Sequence, residues 1–470
     1  MSQTSISQRY LRPRWPYLTQ NNKGILHISN ISVEELTQKY GTPLYVLVEK
    51  EIRERLRRFK QAFPYSNLRP QYAAKCNSNL EILRIAREEG FEMDASSIGE
   101  IILGMLADFT PEQITFTNLY KSEQDIFFAT KIGVYAITVD SIEELRRCIK
   151  VGTQLKHQVR VFLRINPGIT LGEYTTKKQQ YGIPWTVAKK AVEEALTSSF
   201  IQLIGFHFHG AYVTDPKIYK IAAEKLLKLA SSAYQRGAPI QAIDLGGGFP
   251  VEYKDRKEFT PEDVAKVLLP WFEQELEKYG LPKVNLIFEP GKFIVNTAGI
   301  GIVKVVSKKY LGQKKKVVTD GSTYAMLPDP MIYKCYYDIL PATKMNQPRI
   351  RTFDICGCTC DCIDIIGADR KLPRIKENDL LAIMDCGAYS NVMASNFNTL
   401  RRAPMVMIKE DGSIKLIRRR DRYSEMFAPE LDVLKVADPY ELKKFYDIFR
   451  ININQYWNPE QKETLKIRKR

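Results

Sequence analysis

Between residues 70 and 300 the chain repeats one pattern: a short apolar run, a polar break, then a stretch with helical spacing of apolar residues. The runs are QYAAK, FEMDAS, ITFTN, YAITVD, VRVFLRIN, LIGFHFH, AIDLGG and NLIFEP. Helix-start signals follow several of them, such as Ser122 with Asp125 and Ser141 with Glu144. Helical patterns at 186–196 and 217–234 fill two of the longer gaps. Eight strand–helix cycles in about 230 residues predict an α/β fold, a TIM (β/α)8 barrel. An open, doubly wound sheet is the alternative, because strand order is not written in one sequence.

After Gly301 the texture changes to GIVKVVSKKY, KKVVTDG, IRTFDICGC, LLAIMDCG and PMVMIKEDGSIKLIRRR, with Asp411-Gly412 as a hairpin turn. A mostly β C-terminal domain is expected, joined by residues 24–48. The expected division is 1–48 as a segment contributing to the β domain, 49–300 as the barrel, 301–431 as the β domain, and 432–470 as a helix and basic tail. A chain of 470 residues has room for these parts.

Composition narrows the class. Apolar residues are 44% and charged residues 26%, as in globular proteins. No apolar run approaches the roughly 20 residues that cross a bilayer. The first twenty residues, with Arg9, Arg12, Pro13 and Arg14, lack a signal peptide's apolar core. A cytoplasmic protein with no membrane partner is expected. The formal charge of +16 is spread along the chain, with clusters only at Lys314-Lys315-Lys316, Arg418-Arg419-Arg420 and Lys466 to Arg470. Without a helix-turn-helix, zinc-finger or RNA-recognition signature, it reads as a solvated surface and not a nucleic-acid site. Eight cysteines in a chain this long do not suggest a disulfide framework. Cys356, Cys358, Cys360 and Cys362 alternate, which on a strand would put four thiols on one face. No CxxC-type pairs accompany them, so a buried or active-site strand face is preferred to a metal site.

In a barrel, the carboxyl ends of all eight strands meet at one mouth. Those ends carry Lys75, Asp94, Asn118, Asp140, Arg164 with Asn166, His209, Gly246-Gly247-Gly248 and Glu289. Lys75 closes QYAAK, and Ser78 with Glu81 reads as a capping box for the next helix. An amine held in such a pocket is the usual anchor for pyridoxal phosphate. Bland readings remain for each residue. Asp94 and Asp140 could begin loops, Glu100 could complete a capping box with Ser97, and His209 could be a core histidine. The glycine triplet could be a tight turn, although it also suits a phosphate, which barrels often bind near strands seven and eight.

Taken in order, YAAKCNSN, FEMDASSIGE, VFLRINPG, IGFHFHG, DLGGGFP, FEPGK, TCDCID, GAYSNVMASNFN and KLIRRRDRYSE resemble the motifs of the barrel-fold pyridoxal-phosphate decarboxylases, over about residues 40–425. The carboxyl-terminal motifs are similar to those of the branch acting on diaminopimelate. The resemblance implies that Lys75 carries the cofactor, His209 stacks on its ring and Glu289 pairs with the ring nitrogen. Gly246, Gly247, Gly248, Gly291 and Tyr389 would hold the phosphate, while Asp94, Glu100 and Arg164 orient the cofactor. Cys360, the implied proton donor, and Asp361 would come from a partner subunit, making a homodimer with shared sites. Lys292, Asp329, Tyr333, Asp361 and Tyr389 would meet the substrate. The implied reaction is decarboxylation of meso-diaminopimelate to L-lysine, in lysine biosynthesis. The alternative is a decarboxylase of another basic amino acid (ornithine, lysine or arginine, D-forms included) or of a carboxylated polyamine. Retention of Lys75, His209 and Cys360 argues against a catalytically silent binding protein.

The chain departs from the family pattern in places. His209-Gly210-Ala211-Tyr212 replaces a His-Ile-Gly-Ser run, and Lys292 replaces an arginine. Gln179-Gln180-Tyr181-Gly182 lacks the family's lysine, and Asp361 stands for the branch's glutamate. Asp329 begins Asp329-Pro330-Met331-Ile332-Tyr333 where the branch has Arg-Pro-x-x-Tyr. An aspartate there would favour a distal ammonium over a distal carboxylate.

Overall fold

The computed structural model describes residues 15–251, 258–311, 314–437, 440 and 443. Every expected barrel run forms a strand: β1 (Leu68–Ala73), β2 (Glu92–Ala95), β3 (Ile114–Thr117), β4 (Ala136–Val139), β5 (Val159–Asn166), β6 (Ile201–His207), β7 (Ala242–Asp244) and β8 (Asn285–Phe288). Each pairs in parallel with the next, and β8 returns to β1 through Leu286↔Leu68 and Phe288↔Pro70. The sheet is therefore a closed eight-stranded barrel and not an open one. Closure removes both sheet edges, so every strand finds backbone partners on two sides. Gly205 makes room inside: a Cβ there would stand 2.3 Å from the Ala242 carbonyl and 2.7 Å from the Phe162 ring.

Helices alternate with the strands as the periodicity predicts, including Trp185–Thr197 and Lys217–Gln235. The helix Glu49–Ala62, which precedes β1, packs against both Leu80–Glu88 and Pro261–Lys278 and so closes the outer ring. Ser122 and Asp125 form the expected capping box. Two other start signals resolve differently. Asn79, not Ser78, caps Leu80–Glu88, its side chain accepting from Glu81 N at 3.0 Å. Ser141 does cap Ile142–Leu155, but the Glu144 carboxylate turns away to Lys121 and to Asp140 N. An Asn one residue nearer the helix outcompetes Ser78, and a buried cation outcompetes the local cap.

The second sheet runs in the order 365–372, 351–356, 314–319, 299–311, 44–48, 405–408, 414–418. Leu380–Ile383 also pairs with Gly299–Leu311. Leu44–Val48, buried at every position, lies between Gly299–Leu311 and Met405–Ile408. The hairpin joining Met405–Ile408 to Ile414–Arg418 turns at Asp411-Gly412, where Gly412 has φ +81°. Beyond Leu380–Ile383 the chain crosses to the barrel mouth. There Tyr389 N donates to Cys76 O at 2.9 Å, and Asn77 Nδ2 donates to Gly387 O at 2.9 Å. No helix among the described residues is long and apolar enough to cross a membrane. A helix forms at Ala428–Ala437; the expected helical run at 441–450, apart from Lys443, and the basic tail lie outside the described residues, as do Arg9, Arg12, Pro13 and Arg14.

Candidate active site at the barrel mouth

Strand β1 ends at Ala73, and the 3₁₀ turn Ala74–Cys76 presents Lys75 to the mouth. Lys75 Nζ donates to Asp94 Oδ2 at 2.6 Å, from the end of β2, and stands 3.9 Å from Glu289 Oε2, just past β8. Burial works against the Lys75 ammonium, but the charges of Asp94 and Glu289 outweigh it and hold its pKa above the usual lysine value. Burial raises the Asp94 carboxyl, Glu289 adds repulsion, and Lys75 offsets only part.

Beneath Lys75, His207 Nε2 donates to Glu289 Oε1 at 3.1 Å, with both side chains buried. Glu289 is raised by burial, against the opposing charges of Lys75 and Arg164. His207 and His209 are both pushed down by burial and by nearby cations, so both rings are neutral at physiological pH. His209 Nδ1 accepts from Gly247 N at 3.1 Å, which puts its proton on Nε2. Tyr181 meets the His209 ring edge-on, centroids 6.4 Å apart, and the Arg164 guanidinium lies 4.8 Å from the Tyr181 ring centre. Arg164 is oriented by Asp140 at 3.0 Å.

The glycine run after β7 is a cradle that side chains would destroy. Gly246 (φ +66°) and Gly248 (φ +97°) use left-handed backbone. A Cβ at Gly246 would stand 2.5 Å from Phe208 O, one at Gly247 2.6 Å from Glu289 O, and one at Gly291 2.5 Å from Cys76 Sγ. Above the cradle lies a cavity of about 480 Å³ bounded by Lys75, His209, Gly247, Gly248, Glu289, Gly291, Lys292, Asp329, Tyr333 and Tyr389. Its size suits a cofactor with a small substrate. Asp329 is buried, its Oδ2 accepts from Tyr337 Oη at 2.9 Å, and its Oδ1 has no hydrogen-bond partner. Burial raises its pKa, while the Lys292 charge and the Tyr337 hydroxyl pull the other way.

Among the expected residues, Asp94, Glu100, Arg164, Gly246, Cys360 and Asp361 do not line the cavity of their own chain. Glu100 accepts from Ser96 N at 2.6 Å, and its own N–H bonds Ser97 Oγ, a helix-start arrangement beside Asp94 and outside the cavity wall. Cys360 is exposed and, with Asp361, is not part of the cavity wall of its own chain. Asp361 instead accepts from Tyr324 Oη at 2.6 Å. The four alternating cysteines do not share a strand face. Arg351–Cys356 stops at Cys356, and Gly357 folds over Asp364, which binds the backbone and hydroxyls of Thr323 and Thr359. That turn scatters the thiols, and no cysteine group among the described residues converges as metal ligands would. Sequence reasoning missed His207, Asp244 and Tyr181. The alternation His207-Phe208-His209 carried a signal for the first, since residues two apart on a strand share a face.

The residues fit pyridoxal phosphate. An amine beside two carboxylates, a glycine cradle closed to side chains, and the partnerless buried oxygens Glu289 Oε2 and Asp94 Oδ1 supply an anchor, an anion seat and acceptors for a cationic ring. Residues 49–296 match the family described as pyridoxal-dependent decarboxylase, pyridoxal binding domain. The diaminopimelate decarboxylase of Aquifex aeolicus is 32% identical over 425 residues, 89% of this chain and 98% of that one. That of Methanothermobacter thermautotrophicus is 32% identical over 88% of this chain and 97% of its own. The solved diaminopimelate decarboxylase of M. jannaschii in complex with L-lysine, 29% identical, superposes with a TM-score of 0.82, covering 89% of this chain and 98% of that one. An amine-bearing barrel mouth, a full-length match at this identity and a shared architecture agree: the chain belongs to the pyridoxal-dependent decarboxylases.

Proposed function

We propose that this enzyme decarboxylates meso-diaminopimelate to L-lysine, as a cytoplasmic homodimer. The observation that carries the substrate choice is the pairing of opposite charges in one cavity wall. Asp329 offers a buried carboxylate oxygen without a partner, and the Lys292 charge acts on it. The distal end of diaminopimelate carries an ammonium and a carboxylate on one carbon, and the two side chains complement that pair. The names and near-complete coverage of the relatives support the same substrate.

In this reading Lys75 would anchor the cofactor, His209 would lie against its ring, and Glu289 would accept from the ring nitrogen. Gly246, Gly247, Gly248, Gly291 and Tyr389 hold the phosphate, with Asp94, Glu100 and Arg164 as orienting groups. When bound, pyridoxal phosphate supplies an electron sink for the pair left behind as carbon dioxide departs. Cys360 of the partner subunit would deliver the replacing proton, Asp361 of the partner subunit and Tyr333 would border the substrate, and Lys75 would be the amine that holds the cofactor between turnovers. The exposure of Cys360 supports a role across an interface. The same reading takes 49–300 as the cofactor barrel and 301–431, with a contribution from 1–48, as the β domain that completes the mouth. Pairing of Leu44–Val48 into the second sheet supports that division.

A second reading, a decarboxylase for ornithine, lysine, arginine or a carboxylated polyamine, draws on Asp329 alone, which suits a distal ammonium lacking its carboxylate. Carbon dioxide release across a panel of these acids, in both configurations, decides. We expect kcat/KM for meso-diaminopimelate to exceed the rest by roughly 10²-fold or more, because a mono-ammonium substrate offers the Lys292 ammonium no carboxylate to bind. A preference for ornithine or a carboxylated polyamine overturns the first reading.

A further inference from the structure

The barrel interior beside the cavity gathers more acid than base. Glu289 lines the cavity just past β8, and the buried carboxyl groups of Asp94 and Asp244 sit at the ends of β2 and β7, outside its wall. The cations beside them are Lys75, given to Asp94, and Arg164, given to Asp140. His207, on β6, is neutral. Asp244 is 0% exposed and Glu289 2%, and a polar atom from each lies within 4.8 Å of the other and of one on His207. Asp244 Oδ1 accepts from Gly246 N at 2.8 Å, but its Oδ2 has no hydrogen-bond partner, and neither has Glu289 Oε2.

Two ionised carboxylates at this depth would repel each other through a low dielectric, each with an unsatisfied oxygen. One proton between them removes the repulsion and turns an orphaned acceptor into a donor. We propose that Asp244 is a positioning residue kept as the neutral acid, donating a hydrogen bond to Glu289 and so reserving the negative charge for Glu289, the group facing the cofactor's ring nitrogen. The inference rests on the assignment of Glu289 made under the proposed function.

The proton belongs on Asp244 for a geometric reason. Glu289 has His207 Nε2 at 3.1 Å and Lys75 Nζ at 3.9 Å, both favouring its anion. Asp244 has one backbone N–H and, among the described residues, no cation within ion-pair distance, and burial together with the Glu289 charge raises its carboxyl well above the usual range. Removing the Asp244 donor would let Glu289, itself raised by burial, take the proton. A protonated Glu289 no longer favours a protonated ring nitrogen.

The test reads ring-nitrogen protonation by ¹⁵N NMR of full-length holoenzyme loaded with ring-¹⁵N pyridoxal phosphate, without substrate. Asp244→Ala should move the signal towards the unprotonated ring and weaken cofactor binding roughly ten- to a hundredfold. Asp244→Asn should keep the wild-type signal, since its amide donates to Glu289 and accepts from Gly246 N as the neutral acid does. An infrared difference spectrum of wild type minus Asp244→Asn, recorded before and after cofactor loading, should show the carbonyl stretch of a carboxylic acid. That band keeps the idea testable if the alanine variant does not fold. A missing band, an unmoved Asp244→Ala signal, or an asparagine variant that shifts as far as alanine overturns the inference. Glu289→Gln separates the two levels. If it moves the ring signal while Asp244→Ala does not, only this inference falls; if Glu289→Gln leaves the signal in place, the assignment of Glu289 fails and this inference falls with it.

Discussion

Glu144 and Glu289 are both buried at the carboxyl end of the same barrel, one behind β4 and one past β8, and their surroundings are opposite. Glu144 is saturated: Oε1 accepts from Lys121 N at 3.0 Å, and Oε2 from Lys121 Nζ at 3.1 Å and Asp140 N at 2.8 Å. The Glu289 carboxylate holds one hydrogen bond among the described residues, to His207, and leaves Oε2 without one at the edge of the cavity. The first is a staple between a loop and a helix. The second, like Asp94, Asp244 and Asp329 around the barrel mouth, keeps a buried oxygen without a hydrogen-bond partner. Buried charge alone therefore does not mark a functional site here; buried charge lacking partners does.

The contrast breaks if mouth residues prove structural or staples prove catalytic. The largest effect is expected for Lys75→Ala: visible cofactor absorbance from the covalent attachment disappears, and turnover with it, as absorbance and carbon dioxide assays will show. Next, Cys360→Ala should lower kcat by about 10²–10⁴-fold with the absorbance retained, and mixing it with a Lys75→Ala subunit should restore part of the activity if the sites are shared. Glu144→Gln tests the staple. It strands the fully buried Lys121 ammonium, so denaturant unfolding should register a loss of about 3–5 kcal/mol, while the cofactor spectrum of the folded fraction stays as in the wild type.

The smallest effect concerns Asp421, which accepts from Arg402 Nε at 2.8 Å and Asn396 Nδ2 at 3.0 Å and also pairs with Arg418. Burial opposes its charge, yet these donors pull its pKa from 3.8 down to about 2. Between those values the unfolded chain binds more protons than the folded one, so stability rises with pH there. The contribution, about 2 kcal/mol, is whole above roughly pH 5 and drains as the pH falls through 4 towards 2. Asp421→Asn should flatten that part of the stability–pH curve; an unchanged curve would remove Asp421 from the staples.

The eight strands were legible because each is a short apolar run bounded by polar residues, and burial on both faces leaves no other use for such a run. Lys75, His209, Glu289 and the glycine triplet were legible because barrel topology sends every strand's carboxyl end to one mouth. Local chemistry that depends on a neighbour was not. Asn79 displaced Ser78 as a cap, Gly357 and Asp364 broke the cysteine run, and Glu144 left its cap for Lys121, each decided by competition that a linear pattern does not display.

The sequence by itself determined the period of the fold and the identity of the groups offered at the mouth, since both follow from residue type and spacing. Only the tertiary structure decided which of those groups lack partners: the Asp244 and Glu289 carboxyl groups, each with an oxygen lacking a hydrogen bond, end within 4.8 Å of each other because β7 and β8 are neighbours in a closed sheet. Hydrogen-bond satisfaction is a property of distance, and the 44 residues between Asp244 and Glu289 say nothing of it until the barrel closes.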